Sequence, residues 1–240
     1  MEGEKNKSLD ILGIKPIADA GKIVTEGMVK EASYFLRKIC GPAADEFGLW
    51  FKDKIRIWRN TNNVIMTLKA KEKLKKYSNL ENKKANPRIT AAIFDYGSWI
   101  DNEPVQGMWA GLLASSCTED GKDESNLLFI NLLRQLTSLQ AMLFKHSCEK
   151  SRKQYSSDEK HLYAGSYACS EEKIQEVSNC MDSTRLDREL NHLKFLGLIT
   201  YGPVFQSEKI EFTPTVLGLQ LYVRCQGSPG DPEEFFGIKT

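Results

Sequence analysis

Apolar residues return every three or four positions along most of this chain, a period that commits it to packed helices. Val29, Ala32, Phe35, Leu36 and Ile39 mark a first helix, and Gly41-Pro42 ends it with Pro42 placed to open the next. From about Ala43 to Tyr77, Phe47, Phe51, Ile55, Trp58, Ile65 and Leu68 share one face, with Trp50, Ile57 and Val64 as a second apolar line beside it. Asn86-Pro87 is a boundary, because the residue before proline avoids helical geometry. Ile89 to Ile100, Val105 to Ser116, Leu127 to Leu136 and Leu139 to Cys148 then repeat the helical spacing, with Thr137 or Ser138 suited to cap the last. Trp109, Leu112 and Leu113 fall on one face and read as core rather than as a ligand pocket. The sequence predicts a partly ordered arm over residues 1–26 and a helical domain over 27–148.

The pattern changes after Cys148. Residues 149–169 are polar and read as a linker or mobile loop. A short helix from Glu171 to Cys180 and a capped helix from Thr184 to Leu196 follow, the latter with Leu186, Leu190, Leu193 and Leu196 on one face. Gly197-Leu198-Ile199 turns the chain, Gly202-Pro203 and Ser207 carry turn chemistry, Lys209 to Phe212 alternates as a strand, and Pro214 to Val223 is helical. Helix, helix, hairpin, helix is winged-helix order, which places such a module at 170–227 and leaves an acidic tail at 228–240. The predicted fold class is mainly α: an N-terminal helical bundle with long helices, then a winged-helix-like module carrying a small β-hairpin. The tail segment Asp231 to Phe236 reads as a disordered terminus, with contact to a basic partner as the alternative.

Charge is balanced overall, with 33 Lys and Arg against 32 Asp and Glu, but it is segregated. Between Lys52 and Arg88, twelve basic residues face three acidic ones. Such a run can grip RNA, DNA or an anionic membrane. Its lysines at 69, 71, 73, 75 and 76 are spread round the helix, however, as on a solvated helix end, and Lys69, Lys73 and Lys76 are carried forward as candidate contacts. In the C-terminal module Arg185, Arg188, His192 and Lys194 project from or flank the outer face of the capped helix, and Lys209 stands on the hairpin. Cations there can meet phosphates. Asp187 and Glu189 are interleaved among them, which favours a protein-binding scaffold over a nucleic-acid reader.

The six cysteines lack C-x-x-C spacing and the polar N-terminus lacks a signal-peptide stretch, so reduced thiols in the cytoplasm are expected. Leu127 to Phe144 is too interrupted to span a membrane. Three separated histidines, His146, His161 and His192, give no metal-ligand spacing, and no phosphate-cradling, dinucleotide or serine-hydrolase motif is present. No cofactor or metal is expected. Cys148 with His146, or Cys169 with His161, could act as nucleophile and base only if the fold joins them.

Trp109-Ala-Gly-Leu-Leu113, Phe129-Ile-Asn-Leu-Leu-Arg-Gln-Leu136, Leu190-Asn-His-Leu-Lys-Phe-Leu-Gly-Leu-Ile199 and Phe212-Thr-Pro-Thr-Val-Leu-Gly218, in this order and spacing, resemble the abortive-infection alpha family of bacterial phage-defence proteins. The resemblance covers about Gly27 to Cys225. It implies phage defence, in which an infected cell halts growth or dies before phage are released, and it supplies no catalytic residues to carry over. The expected function is a non-enzymatic defence component that binds a phage or host protein, or nucleic acid. A winged-helix DNA-binding regulator and an effector enzyme such as a nuclease are the alternatives, and the two apolar lines of the second helix favour a homo-oligomer.

Overall fold

A computed structural model describes residues 25–41, 57–77, 82–156, 161–203 and 208–238. The described chain is mainly helical, with three small antiparallel sheets, and it divides into two compact units. One comprises the described residues of Met1–Ile130 with Cys225–Pro229, and the other Asn131–Arg224 with those of Gly230–Thr240. Most of the arm expected over residues 1–26, and the proposed helical start from Ala43 to Arg56, lie outside the described residues.

In the first unit, α1 (Glu26–Cys40) starts where the Thr25 hydroxyl accepts the Met28 N–H and stops at Gly41, whose φ of 57° is costly for residues with a Cβ. It buries Val29, Ala32, Phe35, Leu36 and Ile39, the set its period marks. On α2 (Ile57–Tyr77) the buried face differs from the expected one. Val64 of the second expected line is buried, together with Asn62, Asn63, Met66, Thr67, Ala70 and Leu74, while Ile65 and Leu68 of the first line are only half-buried. Polar contacts set this rotation. The Asn62 amide donates to the Ser98 carbonyl at 3.0 Å, and Arg59 Nε donates to Ser98 Oγ at 2.8 Å with its guanidinium 4.0 Å from the Trp99 ring centre.

Asn86 caps α3 (Pro87–Gly97) and Asn102 caps α4 (Glu103–Ser115), each with proline in the first turn. Trp109, Leu112 and Leu113 are buried as their spacing requires. Strand β1 (Lys84–Ala85) pairs with β2 (Cys117–Thr118), and α5 (Asn126–Leu133) begins where the Asn126 amide donates to Leu112 O, Ser115 Oγ and Ser116 Oγ, which closes the end of α4. Gly111 allows α4 to meet the returning chain, because a Cβ there would stand 1.7 Å from the Cys225 carbonyl oxygen.

The second unit is arranged around α6 (Ser138–Lys150), which Thr137 and Gln140 start with a reciprocal capping box. Strands β3 (Lys153–Ser156) and β4 (His161–Ala164) form a hairpin inside the stretch expected to be a linker or mobile loop. Then come β5 (Ala168–Ser170), α7 (Glu171–Ser178), α8 (Ser183–Phe195), β6 (Ile199–Pro203), β7 (Lys209–Pro214) and α9 (Val216–Gln226). The second sheet of this unit runs β5-β7-β6, fully antiparallel with β7 central. Leu186, Leu190 and Leu193 of α8 are buried, and Gly197 at φ 72° reverses the chain into β6.

The disordered terminus expected at Asp231 to Phe236 is instead a short helix, α10 (Pro232–Phe236). Its aromatic rings explain the difference. Phe235 and Phe236 lie 6.2 and 6.3 Å from Tyr222 between ring centres, and the Glu233 carboxylate accepts the Leu162 N–H of β4 at 2.8 Å. Half-burying two adjacent aromatic rings against Tyr222 favours the ordered helix over a solvated terminus.

Two glycines of α4 give a paired prediction. Gly111→Ala forces backbone against backbone and lowers the unfolding free energy in urea by about 3 kcal/mol. Gly107→Ala, with open space round the added methyl group, raises it by up to about 1 kcal/mol.

Candidate partner-binding surface

The orientation of α8 is set by the start of α6. Gln140 Oε1 accepts the Thr137 N–H at 3.0 Å, so its amide nitrogen is left to donate to the Glu189 carbonyl at 3.4 Å and to His192 Nδ1 at 2.9 Å. With Nδ1 accepting, the His192 ring carries its neutral-form proton on Nε2. Thr137 Oγ1 also lies 3.5 Å from the carboxylate of Glu189, a residue only 8% exposed. Glu189 and His192 therefore flank α6, with the His192 ring stacked on Phe195 at 6.5 Å between centres, and the side of α8 away from Leu186, Leu190 and Leu193 is exposed.

On that side Thr184, Arg188, Asn191 and Phe195 succeed one another at four-three-four spacing, and all are exposed. Phe195 is 85% exposed and Met181, just before the Asp182 cap, is 78% exposed, values unusual for large apolar side chains. Of the residues proposed from sequence, Arg188 sits at the centre of this face. Arg185 is drawn to Glu189 at 3.6 Å, Lys194 donates to the Tyr201 carbonyl at 3.0 Å, His192 is half-buried against α6, and Lys209 is exposed on β7.

Beside this face a groove of about 220 Å³ lies between α7, α8 and the β6–β7 ribbon. Ile174, Leu186, Leu190 and Ile210 line it with apolar surface, and Glu171, Ser183, Asp187 and Tyr201 supply its polar atoms. The Tyr201 hydroxyl donates to Asp187 at 2.6 Å, and the Ser183 hydroxyl donates to Glu171. Burial, then the Asp187 and Glu171 charges, push the Tyr201 hydroxyl well above its ordinary pKa. Met181, Phe195, Glu171 and Tyr201 were not singled out from sequence. Phe195 alone carried a local signal, as an aromatic residue off the leucine face of its helix.

The first unit pairs most of its basic run internally. Lys69 meets Glu103 at 3.7 Å, Lys71 meets Glu31 at 2.7 Å, Lys75 meets Glu72 at 2.7 Å, and Lys73 donates to the Gln226 carbonyl at 3.4 Å. Lys76 is exposed in the last turn of α2. Lys69, Lys73 and Lys76 share one helical face at four-three spacing. Lys52, Lys54 and Arg56 lie outside the described residues.

Neither sequence-level pairing of cysteine with histidine is formed as an activated thiol. Cys148 is wholly buried, and His146 Nε2 is instead 2.8 Å from the Tyr167 hydroxyl, with its ring stacked on Phe212. Burial raises the Cys169 thiol above its ordinary pKa, against the lowering that nucleophilic catalysis needs, and burial with the neighbouring Cys169 pushes the Tyr167 hydroxyl up to about 12. A second cleft, of about 450 Å³, is lined by Tyr155, His161, Gln220, Asp231 and Glu234 among others. Among the described residues no three His, Cys, Asp or Glu side chains are grouped to hold a metal, and no helix is long and apolar enough to cross a membrane.

These features define a mainly helical protein of two units whose second unit presents an exposed helix face beside an acidic, apolar-lined groove. The family model for abortive infection alpha matches residues 61–224, most of both units, and the chain belongs to that family. Membership suggests a role in abortive infection. No curated protein and no solved structure matches the chain.

The site also carries a pH signature. Burial, then the charges of Lys150 and Lys173, hold the His146 imidazole below its ordinary pKa. The unfolded chain then binds the extra proton first, so the stability His146 contributes is complete above about pH 6.5 and is lost as the pH falls toward the folded-state value. The urea midpoint of the wild-type protein falls more steeply between about pH 7 and pH 5 than that of His146→Gln, which keeps an amide near Tyr167.

Proposed function

We propose that this chain is a non-enzymatic component of abortive infection that acts by binding a protein, and that α8 of a winged-helix module is its contact surface. The order α6, β5, α7, α8, β6, β7, interrupted only by the β3–β4 hairpin after α6 and with β7 between β5 and β6, supports the winged-helix reading. In that reading the module begins at α6, upstream of the boundary that the sequence suggests, and β6 with β7 makes the wing. Six cysteines in no disulfide support a reducing, cytoplasmic setting.

The observation that carries the choice of protein over nucleic acid is the 85% exposure of Phe195 on a face where, of the cations around it, Arg185 and Lys194 are already engaged. Phosphate binding needs several free lysines or arginines, since affinity follows the number of phosphates neutralised. Here Arg185 and Lys194 have partners within the protein and Glu171 and Asp187 stand beside them. A large exposed aromatic next to an arginine is the pairing that dominates protein interfaces.

Phage plating on cells that carry the wild-type chain or Phe195→Ser or Arg188→Glu tests this. Both variants lose protection by about tenfold or more, the effect of removing a contact worth roughly 1.4 kcal/mol, while thermal unfolding stays at the wild-type temperature. Full protection by both folded variants, or recovery of the protein with nucleic acid that salt releases, contradicts the reading.

A further inference from the structure

The groove between α7, α8 and the β6–β7 ribbon has three properties that together specify an occupant. First, at about 220 Å³ it is smaller than pockets for drug-sized ligands, which start at about 300 Å³, and it suits one inserted side chain. Second, the half-buried Ile210 and Tyr201 give it an apolar wall, backed by the buried Ile174, Leu186 and Leu190. Third, the carboxylates of Glu171 and Asp187 lie at the same groove, and the hydrogen bonds they accept come from neutral donors: the Ser183 hydroxyl and Gln175 amide for Glu171, the Tyr201 hydroxyl and Asn191 amide for Asp187.

Among the described residues neither carboxylate has a cation within ion-pair distance. Of the basic residues nearest in sequence, Lys173 meets Glu176 at 2.8 Å and Arg185 meets Glu189 at 3.6 Å, while Arg188, adjacent to Asp187, is exposed on the outer side of α8. Both carboxylates act on the Tyr201 hydroxyl, so their field converges on the groove. An apolar wall with uncompensated negative charge is complementary to a side chain that has a long apolar stem and a cationic head.

We propose that this groove is the anchor pocket for one arginine or lysine side chain of the partner protein, its stem against Ile210 and the Tyr201 ring and its head on Glu171 and Asp187. The inference rests on the protein-binding reading above and names the chemistry of the partner. The same field repels phosphate, so the pocket discriminates against nucleic acid at the edge of α8.

The test is a titration of the full-length, 15N-labelled protein with the peptide acetyl-Leu-Arg-Leu-amide, followed by backbone amide shifts, beside the same peptide with neutral citrulline in place of arginine. Arginine peptide produces saturable shifts at Ile174, Leu186, Leu190 and Tyr201, with a Kd of about 1 mM, as befits a single anchor. Citrulline, and the near-isosteric double change Glu171→Gln with Asp187→Asn, each weaken binding about tenfold. Absence of saturable shifts at those amides, or equal binding of the two peptides, overturns the proposal. The peptide comparison on the wild-type protein decides even if the double variant does not fold. If the peptide fails while Phe195→Ser still abolishes protection, the pocket falls and the protein-binding function stands. If the peptide binds but both plating variants protect fully, the pocket stands and the assigned role of the α8 face falls.

Discussion

The side chain of Gln140 does three things at once, and the functional face of the second unit depends on it. Its oxygen completes the capping box with Thr137, and its nitrogen reaches the Glu189 carbonyl and the His192 ring on α8. A helix packed only by Leu186, Leu190 and Leu193 could roll on its apolar stripe with little change in buried area. Directed hydrogen bonds from a buried amide do not permit that, because each rotated arrangement leaves buried polar groups unpaired. The result is that Arg188 and Phe195 are both exposed on the outer side of α8.

Electrostatics then decide what that face can meet. The basic run of the first unit, which in sequence suggests a polyanion site, is largely neutralised by nearby carboxylates such as Glu31, Glu72 and Glu103. Exposed pairs of this kind add little stability, about 0–1 kcal/mol each, but they remove the unbalanced field that phosphate binding requires. The uncompensated charge of the second unit has the other sign, at Glu171 and Asp187. Charge order along the chain thus pointed to one class of partner, and its arrangement in space points to another.

Much of the fold was legible because helical periodicity and capping are local. The core of α1, the boundary before α3 at Asn86-Pro87, the burial of Trp109 and the start of α6 at Thr137 all follow from residues within one or two turns of each other. What escaped depends on distant partners. The burial of Asn63 and Thr67 in place of Ile65 and Leu68 is tied to contacts from Asn62 and Arg59 to Ser98, across a gap in sequence that no helical wheel contains. Hairpin β3–β4 is polar on most of its surface, and its one buried residue, Leu162, depends on Glu233 for its N–H partner. The groove is harder still to read, since α7, α8, β6 and β7 each contribute to it and none carries a motif. Arg188 was legible from its position on the helix, whereas His192 was not separable from it until the bond to Gln140 was seen.

The central claim is that the outer side of α8, held by Gln140, meets a protein during infection. A photocrosslinking amino acid placed singly at Thr184, Arg188, Asn191 and Phe195, and at the exposed Gln220 of α9 as the control, tests it most directly in phage-infected cells. The account predicts one protein adduct, of the same mass, from the four α8 positions and none from position 220. Adducts with nucleic acid at those positions, or labelling that ignores the helical period, would contradict it.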